Sequence, residues 1–245
     1  MLGRILVPRL PVERLDAKQV SKIGTLFDRV RAAQPRIGTS DFFPTLEDEV
    51  GAHRRWLTGR VLNAGAGDRD ISHLVDGELV NLDIAEGLHD ASGIDMFAPL
   101  HDIPVADGHF DTIICNAVLE HVRNPHEAMA EFGRVLRAGG ILYLVVPFMQ
   151  PEHLDPTDFQ RYTIDGLQEL ARVHGFEVVE ADGVHSVYTT LGWIVMEWLA
   201  EVPGWRGWLG RWTILPALRR ASLRSDLQVH RLASAYRVIA RRLPA

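Results

Sequence analysis

The feature that most constrains this chain is an alternation of short apolar segments with amphipathic segments that begins near residue 60. Strand-like segments lie at 60–64, 78–84, 92–97, 111–116, 141–146 and 176–181, with a further one at 236–243. Helix-like segments lie between them, at 68–75, 125–137 and 163–174. Because strands that alternate with helices favour a parallel sheet covered on both faces, the sequence predicts an α/β fold with a doubly wound sheet.

Two other regions surround this alternation. Residues 12–33 place apolar side chains at helical spacing, and residues 45–58 run from acidic to basic, as a helix dipole favours. Residues 187–200 and 215–232 predict two more helices, separated by Pro203, Gly204, Gly207 and Gly210. We therefore expect an N-terminal helical cap at 1–58, a core at 59–183, a helical Trp-rich insertion at 184–232 and a final core strand at 233–245.

Composition excludes several classes of protein. The 245 residues are 47% hydrophobic, which is enough to bury a core, and the formal net charge of −6 provides no basic surface for nucleic acid. Cys115 is the single cysteine, so neither a disulfide framework nor a thiolate zinc site is expected. No metal is expected either, since the spacing of His53, His73, His89, His126 and His230 does not suggest a metal site. Charged residues and Pro8 interrupt the N-terminal apolar stretch, and no apolar run reaches the roughly 20 residues of a spanning helix. We expect a cytoplasmic protein.

The turn after the first strand is typical of nucleoside binding. Gly65 and Gly67 lack Cβ atoms, so backbone amides can approach a ligand there, although tight packing alone also explains such a turn. Asp83 ends the second strand and can accept hydrogen bonds from ribose hydroxyls. A dinucleotide is disfavoured, because its fingerprint requires a glycine where Asp70 stands, and an acid there would repel pyrophosphate.

Three segments together resemble the class I S-adenosylmethionine-dependent methyltransferases, in that family's order and spacing. They are RVLNAGAGD (60–68), VNLDIAEG (80–87) and GHFDTIICNAVLEHVRNPHEAMAEFGRVLRAGGILYLVVP (108–147). The LEHV and RVLRAGGILYLVVP parts are the most specific. The resemblance covers residues 60–181 and implies a Rossmann-like, mostly parallel, seven-stranded sheet with an antiparallel last strand, and S-adenosylmethionine as the cofactor.

The resemblance also assigns the residues around that cofactor. The residues of the glycine turn would line the methionine and ribose of the cofactor. Residues at the end of the second strand would hold the ribose and adenine, and residues just after the fourth strand would face the methionine. The set is Asn63, Ala64, Gly65, Ala66, Gly67, Asp83, Ile84, Leu100, His101, Asn116 and Ala117. Three positions depart from the family: its first-strand acid is Asn63, its third glycine is Arg69, and its adenine-binding acid is Pro99, for which Asp102 or the Leu100 amide would substitute.

The segment after the fifth strand is the expected acceptor side, because ligands of doubly wound folds bind beyond the carboxyl ends of the strands. Residues 147–163 (PFMQPEHLDPTDFQRYT) resemble a P-x-x-x-x-H-x-x-P-x-D-[YF]-x-R-[YF]-T segment of one methyltransferase subgroup. His153 is the candidate general base, oriented by Asp155 or Asp158. Further candidates are Arg161, Tyr162, and His121 with Glu120 in LEHV. Alternatively, Asp158 and Arg161 form a structural ion pair, Thr163 caps the next helix and Tyr162 only packs.

These observations favour methyl transfer from S-adenosylmethionine to a hydroxyl or amine of a small molecule, such as a sugar or natural product. Two alternatives stay open: a non-methyl outcome (aminocarboxypropyl transfer or cofactor cyclisation), which the changes at Asn63 and Pro99 motivate, and a non-catalytic binding protein. Five of the six tryptophans lie between residues 193 and 212. This Trp-rich segment, with its arginines, could form a lid over the acceptor, a dimer face or a peripheral contact with a membrane. Alternatively, it only packs as a small satellite core beneath the lid.

Overall fold

In the part of the chain that the structure describes, seven strands form one mixed sheet. The strands are β1 (Thr58–Ala64), β2 (Asp76–Asp83), β3 (Met96–Phe97), β4 (Phe110–Asn116), β5 (Leu136–Pro147), β6 (Phe176–Val184) and β7 (Ala235–Arg242). Their order is β3-β2-β1-β4-β5-β7-β6. Strand β7 runs antiparallel to both of its neighbours, while the pairs on the other side of β5 are parallel. The Rossmann-like fold with an antiparallel last strand is confirmed.

The computed structural model describes residues 46–84, 91–154, 157–224, 227 and 229–244. Its helices are α1 (Leu46–Gly51), α2 (Pro125–Val135), α3 (Ile164–Val173), α4 (Val187–Glu201) and α5 (Trp205–Ser222). The helix expected at 12–33 lies outside the described residues. The division into a cap, a core, an insertion and a final strand stays a prediction.

The core has two layers because successive residues of a strand point to opposite faces of the sheet. Leu62 of β1 packs into one layer with side chains of α2 and α3, including Phe132 and Leu170. Its neighbour Val61 packs into the other layer, with Leu57 and Tyr143. Because β1 pairs in parallel with both β2 and β4, the carboxyl ends of these three strands lie at the same edge of the sheet, where the candidate site is found.

The helix predicted at 68–75 is wrong, since only a 3-10 turn, Ser72–Leu74, forms there. The side chain of Asp70 accepts a hydrogen bond of 2.8 Å from the Ser72 amide, and the Gly67 amide donates to the side chain of Asp83. Side chains that bind local amides compete with helical hydrogen bonding. The glycine turn is therefore not followed directly by the N-terminus of an α-helix.

The second helix of the Trp-rich segment begins ten residues earlier than predicted. Gly207 and Gly210 lie inside α5, where they permit contact with α4 and do not interrupt the helix. A Cβ at Gly207 would lie 2.2 Å from the carbonyl oxygen of Val202, and one at Gly210 would lie 2.5 Å from Leu199 Cδ2. Glycine is thus required for α4 and α5 to pack closely as a helical hairpin.

Other boundaries differ by smaller amounts. The helix predicted at 45–58 is the shorter α1 followed by a 3-10 turn, Arg54–Trp56, because β1 already begins at Thr58. The strand predicted at 92–97 is reduced to Met96–Phe97, and the helix predicted at 125–137 ends at Val135, ahead of the Gly139-Gly140 pair. The cap at Thr163 is confirmed, since its hydroxyl accepts a hydrogen bond of 3.2 Å from the Gly166 amide.

Candidate active site

The amides of the glycine turn are all bonded within the protein. The amides of Gly65 and Ala66 donate to the Leu82 carbonyl at 2.9 and 3.0 Å. The Gly67 amide donates to Oδ2 of Asp83 at 2.7 Å. These three amides therefore bind the end of β2, and the expectation that the glycine turn approaches a ligand stays a prediction. A phosphate-binding loop needs free N–H groups, whereas the N–H groups of Gly65, Ala66 and Gly67 already donate to partners within the protein.

The two glycines of the turn are required for different reasons. Both have positive φ, 78° at Gly65 and 56° at Gly67, a region that other residues enter at a cost. A Cβ at Gly65 would lie 2.4 Å from Val118 Cγ2, so this glycine allows the turn to contact the segment after β4. A Cβ at Gly67 would meet nothing within 4 Å, so the turn is open on that side.

Asp83 keeps room for a ligand while it orders the turn. Oδ2 accepts from Gly67, and Oδ1 accepts from the Ile84 amide at 2.7 Å. A carboxylate has about four acceptor positions, so each oxygen can accept one more hydrogen bond. Two apolar side chains stand exposed beside it: Ile84, and Phe97, which pairs with Asp83 across β2 and β3. Phe97 was not singled out from sequence, although an exposed aromatic residue suits a nucleoside base.

The side chain of Asn63 forms a hydrogen bond with the neighbouring strand β2. Its Nδ2 donates to Oδ1 of Asn81 at 2.9 Å, across the β1–β2 pair. Asn81 in turn donates through Nδ2 to the Gly93 carbonyl at 3.0 Å. Ala64, the next residue, is fully buried. The side chain of Asn63 therefore leaves its own oxygen as the atom that could accept from a cofactor.

The end of β4 carries a strained residue. Ala117 has φ of 55°, and its amide donates to the Val145 carbonyl at 3.0 Å. The carbonyl of Asn116 accepts a hydrogen bond of 3.1 Å from the guanidinium of Arg69, which stands where the family has its third glycine. Arg69 thus links the glycine turn to β4. Strained backbone of this kind is concentrated at functional sites.

The turn proposed for the adenine edge lies after β3. Leu100 is buried in the core, whereas His101 is exposed. The Asp102 amide donates to the Pro99 carbonyl at 3.1 Å, which closes the turn. Because the side chain of Leu100 is buried, the backbone of this residue is the part that could face a cofactor, while the assignment of His101 to the adenine pocket stays a prediction.

Hydrogen bonds attach the segment after β5 to the 3-10 turn Leu119–His121 that follows β4. They join His121 Nδ1 to the Thr157 carbonyl (2.6 Å), the Phe159 amide to the Glu120 carbonyl (2.9 Å), and Gln160 Nε2 to the carbonyls of Leu119 (3.1 Å) and Val122 (2.9 Å). Gln160 was not identified from sequence, since a glutamine in a loop carries no pattern. These bonds bring the two motifs of the acceptor side together.

Glu120 lies at the centre of that contact. Its side chain is fully buried, and among the described residues neither of its carboxylate oxygens accepts a hydrogen bond. Nε2 of His153 lies 3.5 Å from Oε1, and Nε2 of His121 lies 3.7 Å from the same oxygen. The Glu120 carboxylate raises the pKa of His153 above its ordinary value, against the opposing effect of burial.

Asp158 lies on the other side of His153. Its Oδ2 accepts from the His153 amide at 3.1 Å and is 3.6 Å from the ring Nδ1. Arg161 forms a bidentate ion pair with the same carboxylate. Burial acts to raise the pKa of Asp158, but the Arg161 guanidinium and the His153 amide outweigh it, so that this pKa is lowered. Asp158 therefore lies beside the His153 ring and, at the same time, forms the structural ion pair with Arg161.

The remaining residues of the acceptor side differ in where the structure places them. Tyr162 packs against the core, and burial raises its pKa to about 12. Asp155 lies outside the described residues. Trp193 of α4 approaches the cluster, with its ring centre 6.1 Å from that of His153. The ligand atoms of Glu120, His121 and His153 lie within 4.8 Å of one another, close enough to hold a divalent cation.

Comparison with known proteins gives a family match in the central part of the chain. Residues 62–144, about a third of the chain, match the model of a family described as a methyltransferase domain. The match spans β1 to β5, which includes the glycine turn and the LEHV segment. Together with the fold, it supports a class I S-adenosylmethionine-dependent methyltransferase.

Three similar proteins are representative. A tRNA U34 carboxymethyltransferase of Syntrophotalea carbinolica is 49% identical over 45 residues, which are 18% of this chain and 14% of that protein. The chain thus matches less than a fifth of this curated relative. The [4+2]-cyclase SpnF has a TM-score of 0.54 at 18% identity, covering 94% of this chain and 97% of its own. A SAM-dependent methyltransferase from Archaeoglobus fulgidus has a TM-score of 0.54 at 14% identity, covering 90% and 99%. At these identities, the two structures show the fold alone.

Proposed function

We propose that this protein transfers a methyl group from S-adenosylmethionine to a hydroxyl or amine of a small molecule, such as a sugar or a natural product. The observation that carries the proposal is the glycine turn, whose amides all bond to the end of β2 while Asp83 keeps acceptor positions open. Such a turn suits a ribose and lacks the free amides that a pyrophosphate needs.

The residues at this edge fit the cofactor in three parts. Asp83 would accept hydrogen bonds from the ribose hydroxyls, with Ile84 and Phe97 against the adenine. The open side of Gly67 would leave room for the ribose and the methionine chain. Asn116 and Ala117, at the end of β4, would border the methionine. Bound S-adenosylmethionine supplies an electrophilic methyl group on its sulfonium.

The acceptor side would position a nucleophile and take its proton. Methyl transfer is an in-line displacement, in which a bond from the acceptor oxygen or nitrogen to the methyl carbon forms as the sulfur–carbon bond breaks. His153 would accept the proton that the acceptor loses. The resulting imidazolium would lie between Glu120 and Asp158, 3.5 and 3.6 Å from its ring nitrogens, and both carboxylates stabilise its charge.

The helical hairpin α4–α5 would act as a lid over this side. Trp193 on α4 lies next to His153, and its indole donates to Glu197 at 3.2 Å, which fixes the ring. A fixed apolar wall beside the base excludes water and orients the acceptor. Trp193→Phe should preserve acceptor binding better than Trp193→Ala, with the difference appearing mainly in KM.

Cofactor binding and product analysis test the proposal. Calorimetry with S-adenosylmethionine and S-adenosylhomocysteine should show binding of both, and the absence of binding would refute the proposed function. A panel of hydroxyl and amine acceptors is then assayed by mass spectrometry. Release of S-adenosylhomocysteine supports methyl transfer. Release of methylthioadenosine would instead establish use of the aminocarboxypropyl arm. Binding of the cofactor without turnover of any acceptor would favour the non-catalytic alternative.

A variant of the base tests the acceptor side separately. His153→Gln should lower kcat by about 100-fold or more while leaving affinity for S-adenosylhomocysteine unchanged. His126→Gln, an exposed histidine on α2, is the matched control. Assays with and without EDTA distinguish proton transfer from metal-assisted activation at Glu120, His121 and His153. Loss of activity in EDTA that zinc or magnesium restores would contradict the assignment of His153 as base.

A further inference from the structure

The hairpin α4–α5 presents two exposed apolar stripes. Leu191, Ile194 and Trp198 recur at three and four residues along α4, and Trp205, Leu209 and Trp212 do the same along α5. All six side chains are exposed, Trp198 by 56% and Trp205 by 59%. Residues at this spacing share one face of a helix. Each helix therefore directs a continuous apolar stripe towards solvent.

These stripes are separate from the contact that holds the hairpin together. Leu199 and Leu215 are buried between the two helices, with Val195, Met196 and Leu218 packed around them. The inner faces thus use their own apolar residues, and the tryptophans of the outer stripes are not needed for that core. An exposed apolar face on a hairpin that already has a core indicates an interaction surface.

The charge on the hairpin is opposite to that of the chain. Residues 187–224 contain five arginines (Arg206, Arg211, Arg219, Arg220 and Arg224) and two acids (Glu197 and Glu201), whereas the whole chain has a net charge of −6. Helix α5 itself contains no acid. At 3.6 residues per turn, Arg219 and Arg220 fall within about 60° of the centre of its apolar stripe. Positive charge therefore lies on the same side of α5 as its exposed tryptophans.

We propose that the outer face of the hairpin docks on the surface of an anionic phospholipid bilayer. Tryptophan prefers the interface between water and lipid, and arginines beside an apolar stripe are attracted to anionic headgroups. No helix among the described residues is long and apolar enough to cross a membrane, so the contact is peripheral. A symmetric dimer through this face is disfavoured, because an isologous contact would place the two arginine groups near each other.

Vesicle binding by the full chain tests this proposal. Flotation with vesicles of phosphatidylcholine alone is compared with vesicles containing about one third phosphatidylglycerol, at about 0.05 M and about 0.5 M NaCl. Binding should require the anionic lipid, weaken at high salt and shift tryptophan emission to shorter wavelength. Equal binding to both lipids, or no binding to either, would overturn the proposal.

Variants locate the surface. Trp198→Ala/Trp205→Ala should reduce partitioning by at least about 10-fold, and Arg206→Gln/Arg220→Gln by about 5-fold per arginine. Arg172→Gln/Val173→Ala, an exposed arginine and an exposed apolar residue on α3, is the matched control and should bind as the wild type does. Circular dichroism and binding of S-adenosylhomocysteine verify that each variant is folded. Sedimentation in the absence of lipid checks self-association, and a dimer that the tryptophan variant abolishes would assign this face to a second copy and refute the membrane proposal.

Discussion

The Gly67 amide donates a hydrogen bond of 2.7 Å to Asp83, which lies sixteen residues further along the chain. One carboxylate therefore both fixes the conformation of the glycine turn and retains acceptor positions for a ligand. Asp83 also binds the Ile84 amide, so it is held from both sides before any cofactor enters. Pre-organisation of this kind reduces the entropy that binding must offset.

Substitution of Asp83 should therefore weaken cofactor binding strongly. In Asp83→Ala the ribose hydroxyls lose a charged acceptor and the Gly67 amide loses its partner. At about 1.5–3 kcal/mol per hydrogen bond to a charged group, affinity for S-adenosylhomocysteine should fall by about 10-fold or more. Calorimetry measures the change, and Asp76→Ala, an exposed aspartate at the start of the same strand, is the control. Unchanged affinity in Asp83→Ala would show that the cofactor binds elsewhere.

The two glycines of the turn should respond differently to alanine. Gly65→Ala places a methyl group 2.4 Å from Val118 at a φ of 78°, so it should cost about 2–4 kcal/mol of stability. Gly67→Ala meets no atom within 4 Å and should cost about 1 kcal/mol, yet its methyl group would enter the space proposed for the cofactor. Urea unfolding and calorimetry separate these effects, with Gly93→Ala, where a Cβ meets nothing, as the control. Equal loss of stability in both variants would contradict the distinction.

The sequence predicted the parts of the fold that depend on local periodicity and on buried strands. Strand β4, for example, was expected from its β-branched residues, and it lies within one residue of the prediction. The helix at 68–75 failed because hydrogen bonds to the side chains of Asp70 and Asp83 compete with helical bonding, and spacing does not reveal this. The predicted start of α5 was wrong because glycine is usually unfavourable within a helix, whereas close packing against α4 requires Gly207 and Gly210 inside α5.

The candidate site was predictable to a similar extent. The position of Asp83 at the end of the second strand and the resemblance at His153 made both residues candidates, and the structure places Nε2 of His153 3.5 Å from Oε1 of Glu120. The direction of the glycine-turn amides could not be foreseen, because it depends on how β1 aligns with β2. Phe97 and Gln160 were missed, since their contribution comes from pairing across strands and loops that are distant in sequence.

The contact between Glu120 and His153 should determine the pH dependence of the reaction. Since the Glu120 carboxylate raises the pKa of His153 above 6.5, a base at this position becomes protonated, and kcat/KM falls, as the pH decreases through that raised value. Glu120→Gln removes the negative charge and should move this acidic limb to lower pH. Glu127→Gln, an exposed glutamate on α2, should leave it in place. NMR titration of the His153 ring should show the same displacement, and an unchanged titration would contradict the coupling.

Cys115 offers a test of the core that is independent of function. It lies in the middle of the sheet, within β4, and is completely buried, and burial raises the pKa of its thiol well above the ordinary range. Because the thiolate is the reactive form, the native protein should react with a thiol reagent such as DTNB only as fast as it unfolds. One thiol per chain should become reactive in concentrated urea, with a midpoint that coincides with the loss of circular dichroism. Rapid labelling in buffer would show that β4 is accessible in the native state, contrary to the two-layer core described above.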